Sequence, residues 1–186
     1  MRTIVVAASK GGVGKSTLTA ALAVEASRRD RVAVIDIDPQ QSLARWHDIR
    51  IDDDEDSVPD LIDGRKNLDA AIVRARKQGY DWLFIDTPAG MLTLTLTALD
   101  DADLVIIPTR PSPLDVESMD AVVDLCERVG RPRAFVINGA MAGSEMVAGA
   151  RSYLSGRFGN VLDEMIQHRE EYASAMLGGA TAAELN

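Results

Sequence analysis

Residues 10–17 form an unbroken segment, KGGVGKST, that directly follows a short apolar run, residues 3–8, and precedes a helix-forming stretch, residues 16–29. Its three glycines allow backbone conformations that are closed to other residues and a close approach to an anion. Successive N–H groups of such a turn form a concave anion nest, and the helix adds unsatisfied N–H groups and the positive end of its dipole. This order of strand, glycine-rich turn and helix predicts a phosphate-binding loop.

Two side chains of this loop have the chemistry that a nucleotide needs. Lys15 would supply a compact positive charge for the β- and γ-phosphates, and the Ser16 hydroxyl would bind magnesium. The alternative is a flexible glycine loop that happens to end in Lys-Ser, and the position of the segment between a strand and a helix argues against it. The predicted nucleotide-binding residues of the loop are Lys10, Gly11, Gly12, Val13, Gly14, Lys15, Ser16 and Thr17.

Length and composition favour one domain, residues 1–186. Apolar residues make up 46% of the chain and aromatic residues only 4%, so the core must consist mainly of Val, Ile, Leu and Ala, as in a parallel sheet covered by helices. The sequence contains no run long enough to span a membrane and a single cysteine, Cys126, which we expect to be a small buried side chain. We therefore expect a cytoplasmic protein.

Short apolar runs alternate with longer amphipathic stretches along the chain. The predicted strands are residues 3–8, 32–37, 82–86, 104–108 and 134–138. The predicted helices are residues 16–29, 41–49, 68–78, 92–99, 113–129 and 145–158, with a further helix beginning near Arg169. Strands separated by single helices imply parallel pairing with right-handed crossovers. The fold class is therefore α/β, with one doubly wound, mostly parallel sheet flanked by helices and the ligand at the carboxyl ends of the strands.

Carboxylates end two of the predicted strands. Asp36 and Asp38 lie two residues apart at the end of the second strand, and Asp86 closes the third. Asp38 could hold an attacking or metal-bound water near a magnesium nucleotide, and Asp86 could face magnesium directly or through water. Taken alone, Asp36 and Asp38 are also typical of an ordinary turn at the end of a strand. Asp86 taken alone is equally typical of a helix cap. Asp36 could serve the structure or a metal.

The loop also departs from the general pattern G-x-x-x-x-G-K-[ST], which would place a glycine at position 9, where this chain has Ser9. Instead it carries an additional lysine, Lys10, and so resembles the deviant Walker A motif of the ParA/MinD ATPases. The segments DIDPQ (residues 36–40), DTPAG (86–90) and IPTRPSPLD (107–115) resemble further motifs of this family, as do residues 168–179. The resemblance covers nearly the whole chain and implies a P-loop NTPase fold of the deviant Walker A, SIMIBI-like type.

The resemblance also implies roles for single residues. Lys10 would cross into a partner subunit and contact the phosphates bound there, and Asp38 would be the carboxylate on which hydrolysis depends. Asn138, at the end of the fifth predicted strand, matches an asparagine that binds adenine, although a strand-ending cap explains it equally well from the sequence. The resulting expectations are Lys10, Lys15 and Asp38 as catalytic residues, Ser16, Asp38 and Asp86 as magnesium ligands, and ATP and Mg²⁺ as the bound cofactors.

By this resemblance the chain is an ATPase with slow turnover that dimerises when ATP is bound and partitions plasmid or chromosomal DNA or positions a cellular cargo. A partner protein, ParB-like or a cargo adaptor, would stimulate hydrolysis. Nonspecific DNA binding at the nucleoid is a further expectation, but the net charge of −9 opposes it. The alternatives are a MinD-like ATPase positioned at a membrane, a metabolic ligase or synthetase of the same fold, and a relative that binds ATP without turnover. We do not expect membrane binding, because the last residues carry no basic amphipathic helix.

The two histidines, the two tryptophans and one acidic run complete the expectations. His47 and His168 have no neighbouring ligand residues and are expected at the surface or at helix ends. Trp46 and Trp82 are expected to anchor packing rather than to stack on bases. The acidic run of residues 52–56 is expected to be a solvated loop.

Overall fold

The computed structural model describes residues 1–53, 58–141 and 143–185. The strands are β1 (Arg2–Val6), β2 (Val32–Asp36), β3 (Asp60–Leu61), β4 (Trp82–Asp86), β5 (Leu104–Thr109), β6 (Arg133–Ala140) and β7 (Val161–Gln167). The helices are α1 (Lys15–Ser27), α2 (Ser42–Asp53), α3 (Leu68–Gln78), α4 (Leu92–Leu99), α5 (Pro113–Glu117), α6 (Asp120–Arg128), α7 (Glu145–Arg157) and α8 (Glu170–Leu177), followed by a 3₁₀ turn, Ala182–Glu184.

The seven strands form one sheet in the order β3-β2-β4-β1-β5-β6-β7, and every neighbouring pair is parallel. Successive side chains of a strand point to opposite faces of the sheet. Val5 thus packs into the core between the sheet and α3, α4, α6 and α7, whereas Ile4 packs on the other face, which α1 and α2 cover. The predicted α/β class with a doubly wound parallel sheet is confirmed.

This topology brings four strand ends to one edge of the sheet. β1 lies between β4 and β5, and β2 lies beside β4, so the segments that leave these strands all begin at the same edge. After β1 the chain continues to strands on one side of it, and after β4 it continues to strands on the other side. Ligands of open α/β sheets bind at the switch point between two such halves. The fold therefore concentrates the glycine-rich loop and the strand-ending carboxylates in one place.

The structure differs from the predicted elements in four places. Two strands, β3 and β7, were not predicted, and β7 is an edge strand whose residues are mostly exposed. The single helix predicted for residues 113–129 is wrong: it is broken between α5 and α6, where the Ser118 hydroxyl donates to the carbonyl of Asp115 and so competes with helix bonding. α2 extends through Asp53, so the first two residues of the predicted acidic loop are helical, and residues 54–56 lie outside the described residues.

The prediction that His47 lies at the surface or at a helix end is wrong, because it lies in the middle of α2. Its side chain is buried in α2, and this burial lowers its pKa. The prediction for His168, which is exposed, is confirmed. Trp46 is buried among residues of α1, β2 and β4, and its indole N–H donates to the carbonyl of Ala180 at 3.0 Å, so it anchors packing as expected. Within the described residues, no helix is both long enough and apolar enough to cross a membrane.

Candidate nucleotide-binding site

The glycine-rich loop leads into a helix whose first turn is open to an anion. α1 begins at Lys15, and the residue before it, Gly14, has a φ of 91°, which favours glycine. No side chain caps this end, and its first turn has no acidic residue. The first intrahelical donor of this end is the N–H of Leu18, which bonds to the carbonyl of Gly14 at 2.9 Å. The N–H groups before it therefore remain for a ligand such as a phosphate.

Gly14 is required for a second reason, a close approach by Asn138. A Cβ atom built on Gly14 would lie 2.2 Å from Nδ2 of Asn138, closer than any real contact. The same Nδ2 donates to the carbonyl of Val13 at 2.7 Å, and Oδ1 of Asn138 accepts from the N–H of Gly139 at 2.9 Å. Asn138 thus ties the end of β6 to the phosphate loop. Its contact with adenine stays a prediction.

Ser16 and Asp86 form the centre of the site. The Ser16 hydroxyl donates to Oδ2 of Asp86 at 2.5 Å. Asp86 is fully buried, and its other oxygen, Oδ1, has no hydrogen-bond partner in the part of the chain that the structure describes. Burial raises the pKa of this carboxyl to about 7, although the bond from Ser16 opposes the shift. An orphaned, buried carboxylate oxygen beside a hydroxyl is a donor set that fits Mg²⁺.

Asp36 and Asp38 separate into two roles. Asp36 pairs in register with Asp86 on the neighbouring strand. One of its oxygens accepts from the N–H of Asp38, and the other accepts from the N–H groups of Leu43 and Ala44, so this buried carboxylate caps the start of α2. Burial nevertheless raises the pKa of Asp36. Asp38 is only half-buried and lines the same cleft as Ser16, where it can reach a ligand.

Lys10 lies against its own subunit. Its ammonium donates to the carbonyl of Leu114 at 2.6 Å and pairs with Oδ1 of Asp115 at 3.2 Å, both in the first turn of α5. The Ser112 hydroxyl donates to the other oxygen of Asp115 at 2.7 Å and so fixes the acceptor. Lys10 must leave both partners before it can reach a second subunit, and that crossing stays a prediction.

Two clefts meet at the loop. The first, about 650 Å³, is lined by loop residues together with Asp38 and the segment after β4. The second, about 220 Å³, lies on the other side of Gly12 and Gly14 and is lined by Asn138, Arg110 and residues 166–169. A nucleotide with its phosphates on the loop would extend from the first cleft into the second. The two clefts are therefore lined by the predicted residues Gly11, Gly12, Gly14, Lys15, Ser16, Thr17, Asp38 and Asn138, together with Arg110, which was not predicted. Asp86 joins them through its contact with Ser16, whereas Lys10 lies against α5 instead.

Comparison with known proteins decides the family. Residues 4–181 match the model of the CobQ/CobB/MinD/ParA nucleotide binding domain. The chain belongs to this family. The resemblance to ParA/MinD ATPases found in the sequence is thereby confirmed.

Individual relatives of this ParA/MinD-type chain are consistent with that assignment. Maintenance of carboxysome distribution protein A from Halothiobacillus neapolitanus is 28% identical over 98% of this chain and 87% of its own length. Protein ParA from Rhizobium radiobacter is 31% identical over 74% of this chain, and the match spans 63% of that relative. The structure of an ATP complex of a Cyanothece McdA variant superposes with a TM-score of 0.81, at 22% identity, over 100% of this chain and 90% of that one.

Proposed function

We propose that this chain is a magnesium-dependent ATPase with slow turnover that dimerises when it binds ATP and thereby partitions DNA or positions a cellular cargo. The observation that carries the proposal is the Ser16–Asp86 pair at the uncapped start of α1, with Asp38 in the same cleft. A hydroxyl and a buried carboxylate with a free oxygen suit a divalent cation, and the open N–H groups beside them suit phosphate.

Each residue has a distinct task in the proposed reaction. Lys15, almost fully buried at the start of α1, holds the phosphate chain together with the N–H groups of the loop. Ser16 and Asp86 would hold Mg²⁺, which when bound neutralises charge on the β- and γ-phosphates. Asp38 would orient the attacking water. Lys10 would add positive charge from a second subunit, and added positive charge at the transition state speeds phosphoryl transfer.

The names of two relatives support a positioning role. One relative is named for the distribution of carboxysomes and another for ParA, and both share most of this chain's length. We therefore propose a positioning role in the cytoplasm, with a ParB-like protein or a cargo adaptor as the partner that stimulates hydrolysis. Nonspecific DNA would serve as the track in the ATP-bound state. The net charge of −9 means that any such contact depends on local arginines and weakens steeply with salt.

Phosphate release from ATP tests the enzymatic part of this proposal. The wild-type protein should release phosphate slowly and only with Mg²⁺, and Asp38→Ala should stop release while ATP still binds. Asp124→Ala, an exposed carboxylate on α6, is the matched control and should hydrolyse ATP at the wild-type rate. Turnover that is independent of Mg²⁺, or an Asp38→Ala variant that hydrolyses normally, would contradict the assigned roles.

A further inference from the structure

Arg110 is the first residue after β5, and its side chain points at the phosphate loop. A Cβ atom built on Gly12 would lie 3.8 Å from Nη2 of Arg110, and one built on Gly139 would lie 3.9 Å from its Cγ. The stem of Arg110 therefore rests beside the end of β6, and its guanidinium lies beside the turn of the loop. It enters the second cleft together with Gly14 and Asn138.

The guanidinium of Arg110 has no carboxylate of its own. Some other arginines of the chain do have one: Arg50 pairs with Glu184 at 2.6 Å, and Arg133 pairs with Glu127 at 2.9 Å. Across the ranges that the structure describes, the Arg110 side chain has no hydrogen bond or ion pair, and its positive charge contributes weakly to the lowered pKa of Asp115. All of its guanidinium N–H donors are therefore free for a ligand.

The second cleft has a charge opposite to that of the whole chain. The chain has 29 acidic and 20 basic residues, yet the charged side chains that line this cleft are Arg110 and Arg169, and no acidic residue of the described chain lines it. A groove of one sign in a protein of the other sign concentrates ligands of opposite charge. The ligand that fits such a cleft next to an uncapped helix start is an anion.

We propose that Arg110 binds the phosphate chain of the nucleotide from within its own subunit, across Gly12 and beside Lys15. This inference rests on the proposed nucleotide binding and deepens it. Each subunit would hold the phosphates with two of its own cations, Lys15 and Arg110, and a second subunit would contribute its Lys10. A planar guanidinium with several donors suits phosphate oxygens better than an ammonium does. Arg110 is then a binding residue, and its contribution depends on how many phosphates the ligand carries.

Affinities for a series of adenine ligands test this role. Titration calorimetry with Mg²⁺ would compare a non-hydrolysable ATP analogue, ADP and adenosine on the wild type, Arg110→Ala and Arg110→Lys. Loss of a charged hydrogen bond should weaken the analogue and ADP about tenfold or more in Arg110→Ala, whereas adenosine should bind as before. Arg110→Lys should recover part of the loss. Arg29→Ala, an exposed arginine at the far end of α1, is the matched control and should bind all three ligands normally.

Three results would overturn the role of Arg110. One is an unchanged affinity for the analogue and ADP, and another is an equal loss for adenosine, which would indicate a contact with the base or a change in the cleft. The third is unchanged nucleotide affinity with lost binding of double-stranded DNA in the ATP state, which would assign the guanidinium to DNA phosphates. A wild-type protein that binds no ATP would instead overturn the proposed function itself.

Discussion

Neutralising Asp86 should stabilise the metal-free protein, and more so as the pH rises. Burial raises the pKa of this carboxyl from 3.8 to about 7. Between these values the native state keeps a proton that the unfolded state has lost, so each pH unit costs about 1.4 kcal/mol of stability, and the total approaches about 4 kcal/mol above pH 7. This pH dependence of stability has the opposite sign to that of a salt-bridged aspartate, which stabilises the native state more as the pH rises.

Asp86→Asn removes this cost because an amide carries no charge at any of these pH values. The Ser16 hydroxyl can still donate to the amide oxygen, so the bond it now makes at 2.5 Å need not be lost. The gain in stability of the variant over wild type should therefore increase by about 3 kcal/mol between pH 5 and pH 8. With Mg²⁺ bound, the wild type should be more stable than Asp86→Asn, since the cation needs the carboxylate.

Urea unfolding in EDTA at pH 5, 6, 7 and 8 measures this difference. Asp124→Asn, an exposed residue on α6, is the control and should differ from wild type by the same amount at every pH. A gain for Asp86→Asn that stays constant from pH 5 to pH 8, or a variant that is less stable than wild type at pH 8, would refute the reasoning.

Three further predictions concern the loop, its lysine and the core. Gly14→Ala should lower the free energy of unfolding in urea by about 1–3 kcal/mol, because φ is 91° and Asn138 occupies the space of the new Cβ atom. Adding Asn138→Gly to this variant should restore only part of the loss, because the strained φ remains. Asp115→Asn should raise the ATP-dependent dimerisation constant about two- to fivefold in sedimentation, since it frees Lys10 from a partly exposed ion pair; a lower constant would mean that Asp115 positions the lysine instead. Cys126, whose pKa burial raises to about 11, should resist thiol reagents at pH 8 until urea unfolds the chain, and rapid native labelling would contradict its burial.

Most of the sheet could be predicted from the sequence, because strands buried on both faces are continuous apolar runs. β4 and α3 have the predicted bounds, and β1, β2 and β5 differ only at their ends. The edge strands could not be found in this way. β7 carries Asp163 and Glu164 at its centre and is held by pairing with β6, and β3 has only two residues.

The site was predictable where a residue's type and spacing determine its chemistry. Lys15, Ser16 and Asp86 lie together, as the motifs indicated. The contacts of Asn138 with Val13 and of Lys10 with α5 depend on packing between distant segments, which spacing does not reveal. His47 was predicted at the surface or at a helix end because it has no neighbouring ligand residues in the sequence, and its burial among distant segments leaves no such local signal.

Arg110 was missed although the sequence contained a signal. It is a cation placed directly after a predicted strand, at the edge where the other site residues were expected. Residues 107–115 were interpreted by their resemblance to a family motif, and that resemblance assigns no role to the charge within the segment.

The mass of the protein in solution tests the central claim most directly. Sedimentation in Mg²⁺ should show a monomer of 20.1 kDa without nucleotide or with ADP, and twice that mass with a slowly hydrolysed ATP analogue. Lys10→Ala should bind the analogue and remain a monomer. One unchanged mass in every nucleotide state, or a Lys10→Ala protein that dimerises like wild type, would contradict the account.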